Sequence, residues 1–126
     1  MIRNNSLRLK KSPTLKDIQN YVAKMEKARG FSKESVIQKC LLLGEEIGEL
    51  FKSVRKAEKV HTDVKAKITS VADELADILI YISALANKFK IDLETAFRNK
   101  EEGNKKREWK WLKHEKTSLG SDYRWR

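Results

Sequence analysis

The sequence predicts an all-α fold of four helices. Apolar residues recur at helical spacing along most of the chain, and alternation typical of strands never persists beyond a few residues. The 126 residues contain one proline and five glycines, so few positions break a helix. A chain of this length has room for one domain with its own core.

The first helix is predicted over residues 14–28. Thr14 followed by Asp17 is typical of a capping box at a helix start, and Gly30 is a suitable stop. The apolar positions between them follow the spacing of one helix face. They are Leu15, Ile18, Val22 and Met25.

The second and third helices are predicted over residues 32–58 and 64–89, with a turn at 60–63. Each has a long apolar stripe, formed by Val36, Cys40, Leu43, Ile47, Leu50 and Val54 in one and by Ile68, Val71, Leu75, Ile78, Ile82 and Leu85 in the other. Asp92 is the expected cap of a fourth helix that ends near Gly103 or slightly beyond.

The net charge of +10 is concentrated at the two ends of the chain. Residues 1–30 hold eight Lys or Arg against two acids, and residues 104–126 hold eight against three. Such ends attract nucleic acid or other polyanions, or they are simply solvated. The single cysteine, the polar N-terminus and the lack of a long apolar run are typical of a cytoplasmic protein.

Two pairs of acids lie beside the apolar stripes of the second and third helices. At about 100° per residue, Glu46 and Glu49 lie to one side of the apolar stripe of the second helix. Glu74 and Asp77 lie at the same angular offsets from the apolar stripe of the third helix. If these helices pack antiparallel, the four carboxylates converge and repel unless a cation joins them. Oxygen ligands favour a hard ion such as Mg²⁺. The alternative, that the acids are solvated surface residues, stays open.

These acids also carry a resemblance to a family. The run Gly44-Glu45-Glu46-Ile47-Gly48-Glu49-Leu50, followed by Asp73-Glu74-Leu75-Ala76-Asp77-Ile78, resembles the Glu-Glu-x-x-Glu and Glu-x-x-Asp motifs of MazG-like nucleoside triphosphate pyrophosphohydrolases. The residues Lys100, Asn104 and Arg107 are similar to that family's Lys-x-x-x-Asn-x-x-Arg/Lys ending. The resemblance covers about residues 14–108, between a basic N-terminal arm (1–13) and a basic aromatic tail (109–126).

The resemblance implies a four-helix bundle that assembles into homodimers or homotetramers. It implies Mg²⁺, with Mn²⁺ as a substitute, held by Glu46, Glu49, Glu74 and Asp77. The expected reaction is hydrolysis of a (deoxy)nucleoside triphosphate to the monophosphate and pyrophosphate, which would serve to clean the nucleotide pool. Glu45 would orient or deprotonate the attacking water, and Tyr81 would stack on the base or act as a core aromatic.

Lys100, Asn104 and Arg107 are the expected binding residues for the outer phosphates. Their spacing puts them on one helical face if the fourth helix continues past Gly103. Three alternatives stay open: a phosphoribosyl-ATP or other specialised pyrophosphohydrolase, a helical nucleic-acid-binding protein that uses its basic ends, and an inactive interaction module. No membrane partner is expected.

Overall fold

Four α-helices follow one another along residues 6–110, the part of the chain that the computed structural model describes. They are α1 (Leu15–Arg29), α2 (Val36–Ala57), α3 (Val71–Lys88) and α4 (Leu93–Lys105). The described residues contain no strand, which confirms the prediction of an all-α fold. Among the same residues, no helix combines the length and the apolar character that crossing a bilayer requires.

The start and end of α1 are those that the sequence predicts. The Asp17 backbone N–H donates to Thr14 Oγ1 at 3.1 Å, and the Thr14 N–H donates to Asp17 Oδ2 at 2.8 Å, which completes a capping box. The Thr14 N–H and then Lys10, whose Nζ lies 3.0 Å from Asp17 Oδ2, lower the pKa of Asp17 to about 2. Gly30 ends the helix at φ 79°, where an L side chain would be strained.

The start of α2 lies later than predicted. Ser35, and not Ser32, is the N-cap, because Gln38 stands three residues after it and completes a capping box. The Ser35 backbone N–H donates to Gln38 Oε1 at 2.7 Å. The Ser32 carbonyl instead accepts a hydrogen bond from Lys88 Nζ at 2.8 Å, which ties the α1–α2 connection to the end of α3.

The prediction that the third helix starts at residue 64 is wrong, since α3 begins at Val71. Ser70 caps it by accepting a hydrogen bond from the Asp73 N–H at 3.0 Å. The Thr69 carbonyl accepts from Ser53 Oγ at 2.9 Å, which fastens the connection to α2. Serine and threonine side chains that bond to nearby backbone favour caps over helix interiors, so residues 58–70 form a longer connection than the predicted turn.

Helices α2 and α3 pack antiparallel, and α1 packs against α3 while α4 packs against α1. The direction follows from contacts at both ends of α2: Ser53 meets Thr69, whereas Lys39 lines the same cavity as Ala84. The apolar core lies between α1 and α3. It consists of Val22, Met25 and Ala84, with Leu7, Ile18, Tyr21 and Ile80 packed against them.

A row of large apolar side chains on α2 is exposed. Ile37, Leu41 and Phe51 are 73%, 67% and 63% exposed, and Cys40 of the predicted stripe is exposed too. Helix α3 has a similar row, formed by Leu75, Leu79 and Ile82. The apolar stripes of these helices are therefore wider than the packing within residues 6–110 covers.

The buried Gln19 amide joins three helices. Its Nε2 donates to the Ile91 carbonyl at 2.8 Å and to Asn87 Oδ1 at 3.2 Å, and its Oε1 accepts from the Leu93 N–H at 3.0 Å. Asn87 Nδ2 in turn donates to the Gln19 carbonyl at 2.9 Å. One side chain of α1 therefore holds the end of α3 and the first turn of α4 in place.

Replacing Gln19 with Met should destabilise the protein by about 2–4 kcal/mol, because the part-buried Ile91 carbonyl and Leu93 N–H would both lose the partner that the buried amide provides. The measurement is chemical unfolding followed by circular dichroism. The matched control is Asn20→Met on the exposed face of α1, which should change stability by no more than about 0.5 kcal/mol. Equal losses in the two variants would contradict the role of the amide.

Candidate metal centre

Three carboxylates meet where α2 and α3 face each other. Glu46 comes from the middle of α2, and Glu74 and Asp77 come from the first two turns of α3. One carboxylate oxygen from each of the three lies within 4.8 Å of the other two. The antiparallel packing thus brings together three of the four acids that the sequence predicts to converge.

Glu74 is the most deeply buried member of the carboxylate cluster, by which we mean Glu46, Glu74 and Asp77. It is 3% exposed, and its Oε1 accepts a hydrogen bond from the Thr69 hydroxyl. Its Oε2 is buried without a hydrogen-bond partner among the described residues. A buried carboxylate oxygen without a partner is costly, so this atom fits a cation bound beside it.

The cluster raises the pKa of Glu46 to about 7. Burial is the largest cause, followed by the close approach of the Glu74 carboxyl and by the negative charge of Asp77. All three causes disfavour the ionised carboxylate. A cation among these oxygens would reverse the effect, because its charge favours the ionised form of every ligand.

The residues present fit a hard divalent cation. All three donors are carboxylates, and no His or Cys joins a three-residue group of this kind among residues 6–110. Mg²⁺ commonly takes a few carboxylates and fills its remaining positions with water and substrate phosphate. Glu46, Glu74 and Asp77 would therefore hold the metal and leave positions open for phosphate oxygens.

Glu49 and Glu45, also predicted from the sequence, lie outside the carboxylate cluster. The Glu49 side chain is 40% exposed, and its Oε1 pairs with Lys52 Nζ at 3.2 Å. It is near enough for its charge to act on Glu46. Glu45 is exposed. The role of Glu49 as a fourth ligand and the role of Glu45 in water activation stay predictions.

A cavity of about 390 Å³ opens beside the cluster. Glu46 and Asp77 line one part of it, and Tyr81 stands one turn after Asp77 on the same wall. Burial, followed by the charge of Glu46, raises the pKa of the Tyr81 hydroxyl. The structure thus puts Tyr81 at a cavity next to the acids, as a residue that contacts substrate requires.

A buried lysine on the cavity wall is the feature that the sequence prediction missed. The Lys39 side chain is 2% exposed and pairs with Glu26 and, at 2.9 Å, with Glu34 Oε2. Burial opposes its charge, but these two carboxylates outweigh burial and raise the pKa of Lys39. In the sequence, Lys39 has the helical spacing of the apolar stripe between Val36 and Leu43, and this spacing is the signal that indicates a buried lysine.

Lys100, Asn104 and Arg107 do not line this cavity. Lys100 and Asn104 share one face of α4, which continues through Lys105, whereas Arg107 lies beyond the helix end. Asn104 Nδ2 donates weakly to Glu101 Oε2 at 3.5 Å, and the other two side chains are exposed. The helix continues past Gly103 as the phosphate-binding prediction requires, but the three residues are not brought to the acids within this chain.

The fold and the acids together define a class: an all-helical domain with a carboxylate cluster at the meeting of two helices. The family model of the MazG nucleotide pyrophosphohydrolase domain matches residues 33–110. This range includes every residue of the cluster. The chain therefore belongs to the MazG nucleotide pyrophosphohydrolase family, as its sequence motifs predict.

Solved structures agree with the family. The chain is similar to iMazG from Vibrio DAT 722, with 31% identity and a TM-score of 0.54 over 74% of this chain and 99% of that one. A second structure of iMazG, with its tag at the other end, has 31% identity and a TM-score of 0.53 over 74% and 95% of the two chains. No curated protein matches the chain significantly.

Neutralising Glu46 should stabilise the metal-free protein at alkaline pH. The folded-state pKa of about 7 lies above the ordinary glutamate value of 4.5, so Glu46 contributes stability that is complete below about pH 4.5 and is lost as the pH rises through 7. Glu46→Gln should therefore exceed the wild type at pH 8 by on the order of 1–2 kcal/mol after solvent screening, and match it near pH 4.5.

Thermal unfolding in EDTA at pH 8 and pH 5 measures this difference. Glu45→Gln is the matched control, because it removes an exposed carboxylate next in sequence. Millimolar Mg²⁺ should raise the melting temperature of the wild type more than that of Glu46→Gln. The same pH dependence in the wild type and Glu46→Gln would show that Glu46 does not bear the repulsion of the cluster.

Proposed function

We propose that this protein is a magnesium-dependent nucleoside triphosphate pyrophosphohydrolase, which converts a (deoxy)nucleoside triphosphate and water to the monophosphate and pyrophosphate. The observation that carries the proposal is the carboxylate cluster at the edge of a cavity of about 390 Å³, in which Glu74 Oε2 is buried and has no hydrogen-bond partner within residues 6–110. Membership of the MazG family supports it.

The chemistry requires no covalent nucleophile from the protein. A water molecule adds to the α phosphorus, and the bond from that phosphorus to the α–β bridging oxygen breaks, so that pyrophosphate leaves. Mg²⁺, when bound, would neutralise phosphate charge and lower the pKa of a water molecule. Glu46, Glu74 and Asp77 would bind it, and the Thr69 hydroxyl keeps the Glu74 carboxylate in its orientation.

Two acids near the cluster have proposed roles that require movement. Glu49 would become a fourth ligand by leaving Lys52, and this exposed ion pair costs little to break. Glu45 would orient or deprotonate water from the exposed side of α2. A nucleic-acid-binding function depends on the basic ends, of which residues 1–5 and 111–126 lie outside the described part of the chain.

Replacing Glu74 with Gln should lower kcat/KM for triphosphate hydrolysis by about a hundredfold or more, because the buried ligand loses its charge. The assay is a panel of nucleoside triphosphates with Mg²⁺ that scores pyrophosphate against orthophosphate. Asp73→Asn, which neutralises an exposed acid one residue earlier, is the control and should keep most activity. Release of orthophosphate alone would contradict attack at the α phosphorus.

We also propose that the protein is a homodimer or homotetramer that covers the exposed apolar rows. On α2, Gly44 and Gly48 lie between Leu41 and Phe51, and a Cβ atom added at either glycine would meet open space. Rows of this kind bury their apolar surface when two copies pair. Lys100, Asn104 and Arg107 would then bind the outer phosphates only if pairing brings α4 of one copy to the cavity of another.

Light scattering at micromolar concentration should therefore give a mass at least twice 14.7 kDa. Leu41→Glu puts a charge into the α2 row and should shift the protein toward the monomer, since a buried unpaired charge opposes pairing. Val64→Glu is the control, because Val64 is 97% exposed in the connection between α2 and α3. A monomeric wild type would rule out the oligomer and, with it, binding of the outer phosphates across subunits.

A further inference from the structure

The part of the cavity away from the carboxylate cluster has a chemistry of its own. Lys39, Glu26, Glu34 and Arg29 line it, and their four charges sum to zero. A buried lysine whose charge is already balanced by two carboxylates has little attraction left for a phosphate. Because its charged groups balance one another, this end of the cavity suits an uncharged ligand group.

Apart from these four charged residues, the walls here are apolar or aromatic. They are formed by Met25, Phe31, Leu42, Ile80, Tyr81 and Ala84. Two rings and several aliphatic groups around a few polar atoms suit a flat, uncharged ring with a polar edge. In a nucleoside triphosphate the nucleobase fits this description, and the phosphates would extend toward Glu46 and Asp77.

The polar atoms indicate which base edge would bind. Glu34 contacts Lys39 through Oε2, and its side chain is 27% exposed, so its Oε1 can accept a further hydrogen bond. A carboxylate only accepts, whereas Lys39 only donates. Together they complement an edge on which an amino group stands next to a carbonyl oxygen or ring nitrogen, as in cytosine, guanine and adenine.

We propose that this end of the cavity binds the nucleobase and that Glu34 is a specificity-determining residue that favours bases with an exocyclic amino group. Lys39 contributes a donor to the neighbouring acceptor on the base, and Glu26, whose side chain is only 9% exposed, is a positioning residue that holds Lys39. This inference rests on the proposed hydrolysis for its substrate, but it concerns residues outside the metal site.

Two pairs of substrates test it directly. dCTP and dUTP differ by an amino group against a carbonyl on the same ring, and dGTP and dITP differ by the presence of the amino group alone. We expect kcat/KM for the amino-bearing member to be about tenfold higher or more, because a site built to pair with an N–H group discriminates against an analogue that lacks it. Equal values in both pairs for the wild type would overturn the proposal.

Variants of Glu34 separate recognition from structural support. In Glu34→Ala, the ratio of kcat/KM between the two members of each substrate pair should fall close to one, mainly through KM. Glu34→Gln should restore part of this preference, because its amide oxygen still accepts a hydrogen bond. Glu94→Gln, which breaks an exposed 3.1 Å ion pair with Arg98 on α4, is the matched control and should leave them unchanged. Folded Glu34 variants that keep the wild-type ratios would also overturn the proposal.

Binding of the reaction products gives a readout that does not depend on hydrolysis. Calorimetry in EDTA should show tighter binding of dCMP than of dUMP to the wild type, and a smaller difference for Glu34→Ala. If dCMP is preferred but no triphosphate is hydrolysed, the hydrolase proposal fails and the base site stands. If triphosphates are hydrolysed without base preference and dCMP and dUMP bind equally, the base site fails and the hydrolase stands.

Discussion

Repulsion among Glu46, Glu74 and Asp77 is the constraint around which the site is built. Their oxygens approach within 4.8 Å of one another because the packing of α2 against α3 brings the three side chains to the same place between the helices. The Ser53 hydroxyl reinforces this packing by donating to the Thr69 carbonyl, and the Thr69 hydroxyl donates to Glu74 and fixes the orientation of its carboxylate. The helices therefore hold a geometry that is unfavourable without a cation and favourable with one.

The same geometry divides the cavity into two ends. At one end the negative cluster has an affinity for cations, and through them for phosphate oxygens. At the other end Lys39 is neutralised by its two partners, and the charges of the lining sum to zero with Arg29 included, so this end attracts the phosphates less than a bound metal would. A triphosphate in the reverse orientation would bring its charge to an end of the cavity whose charged groups sum to zero and which lacks the carboxylate cluster that would hold a metal. The distribution of charge thus favours one direction of binding.

Local sequence patterns predict what depends on one helix, and they fail where distant segments meet. The capping box of Thr14 follows from spacing alone. So does the position of Glu46, Glu74 and Asp77 beside the apolar stripes of their helices. Glu49 has the same spacing, but Lys52 one turn later pairs with it. The spacing of Lys39 on the apolar stripe indicates burial, but its ion pairs do not follow from its own helix, because its partners are Glu26 of α1 and Glu34 of the connection.

The buried Glu26–Lys39–Glu34 network is better explained by binding than by stability. Taking a lysine and a carboxylate out of water costs several kcal/mol per ion in typical proteins, and an apolar side chain of similar volume often serves as well or better. The neighbouring core of Val22, Met25 and Ala84 shows that apolar packing is available at this place. A fold selected for stability alone would extend that core to position 39. A cavity that must present fixed donors and acceptors to a ligand requires charged groups there, and their mutual pairing keeps them in place.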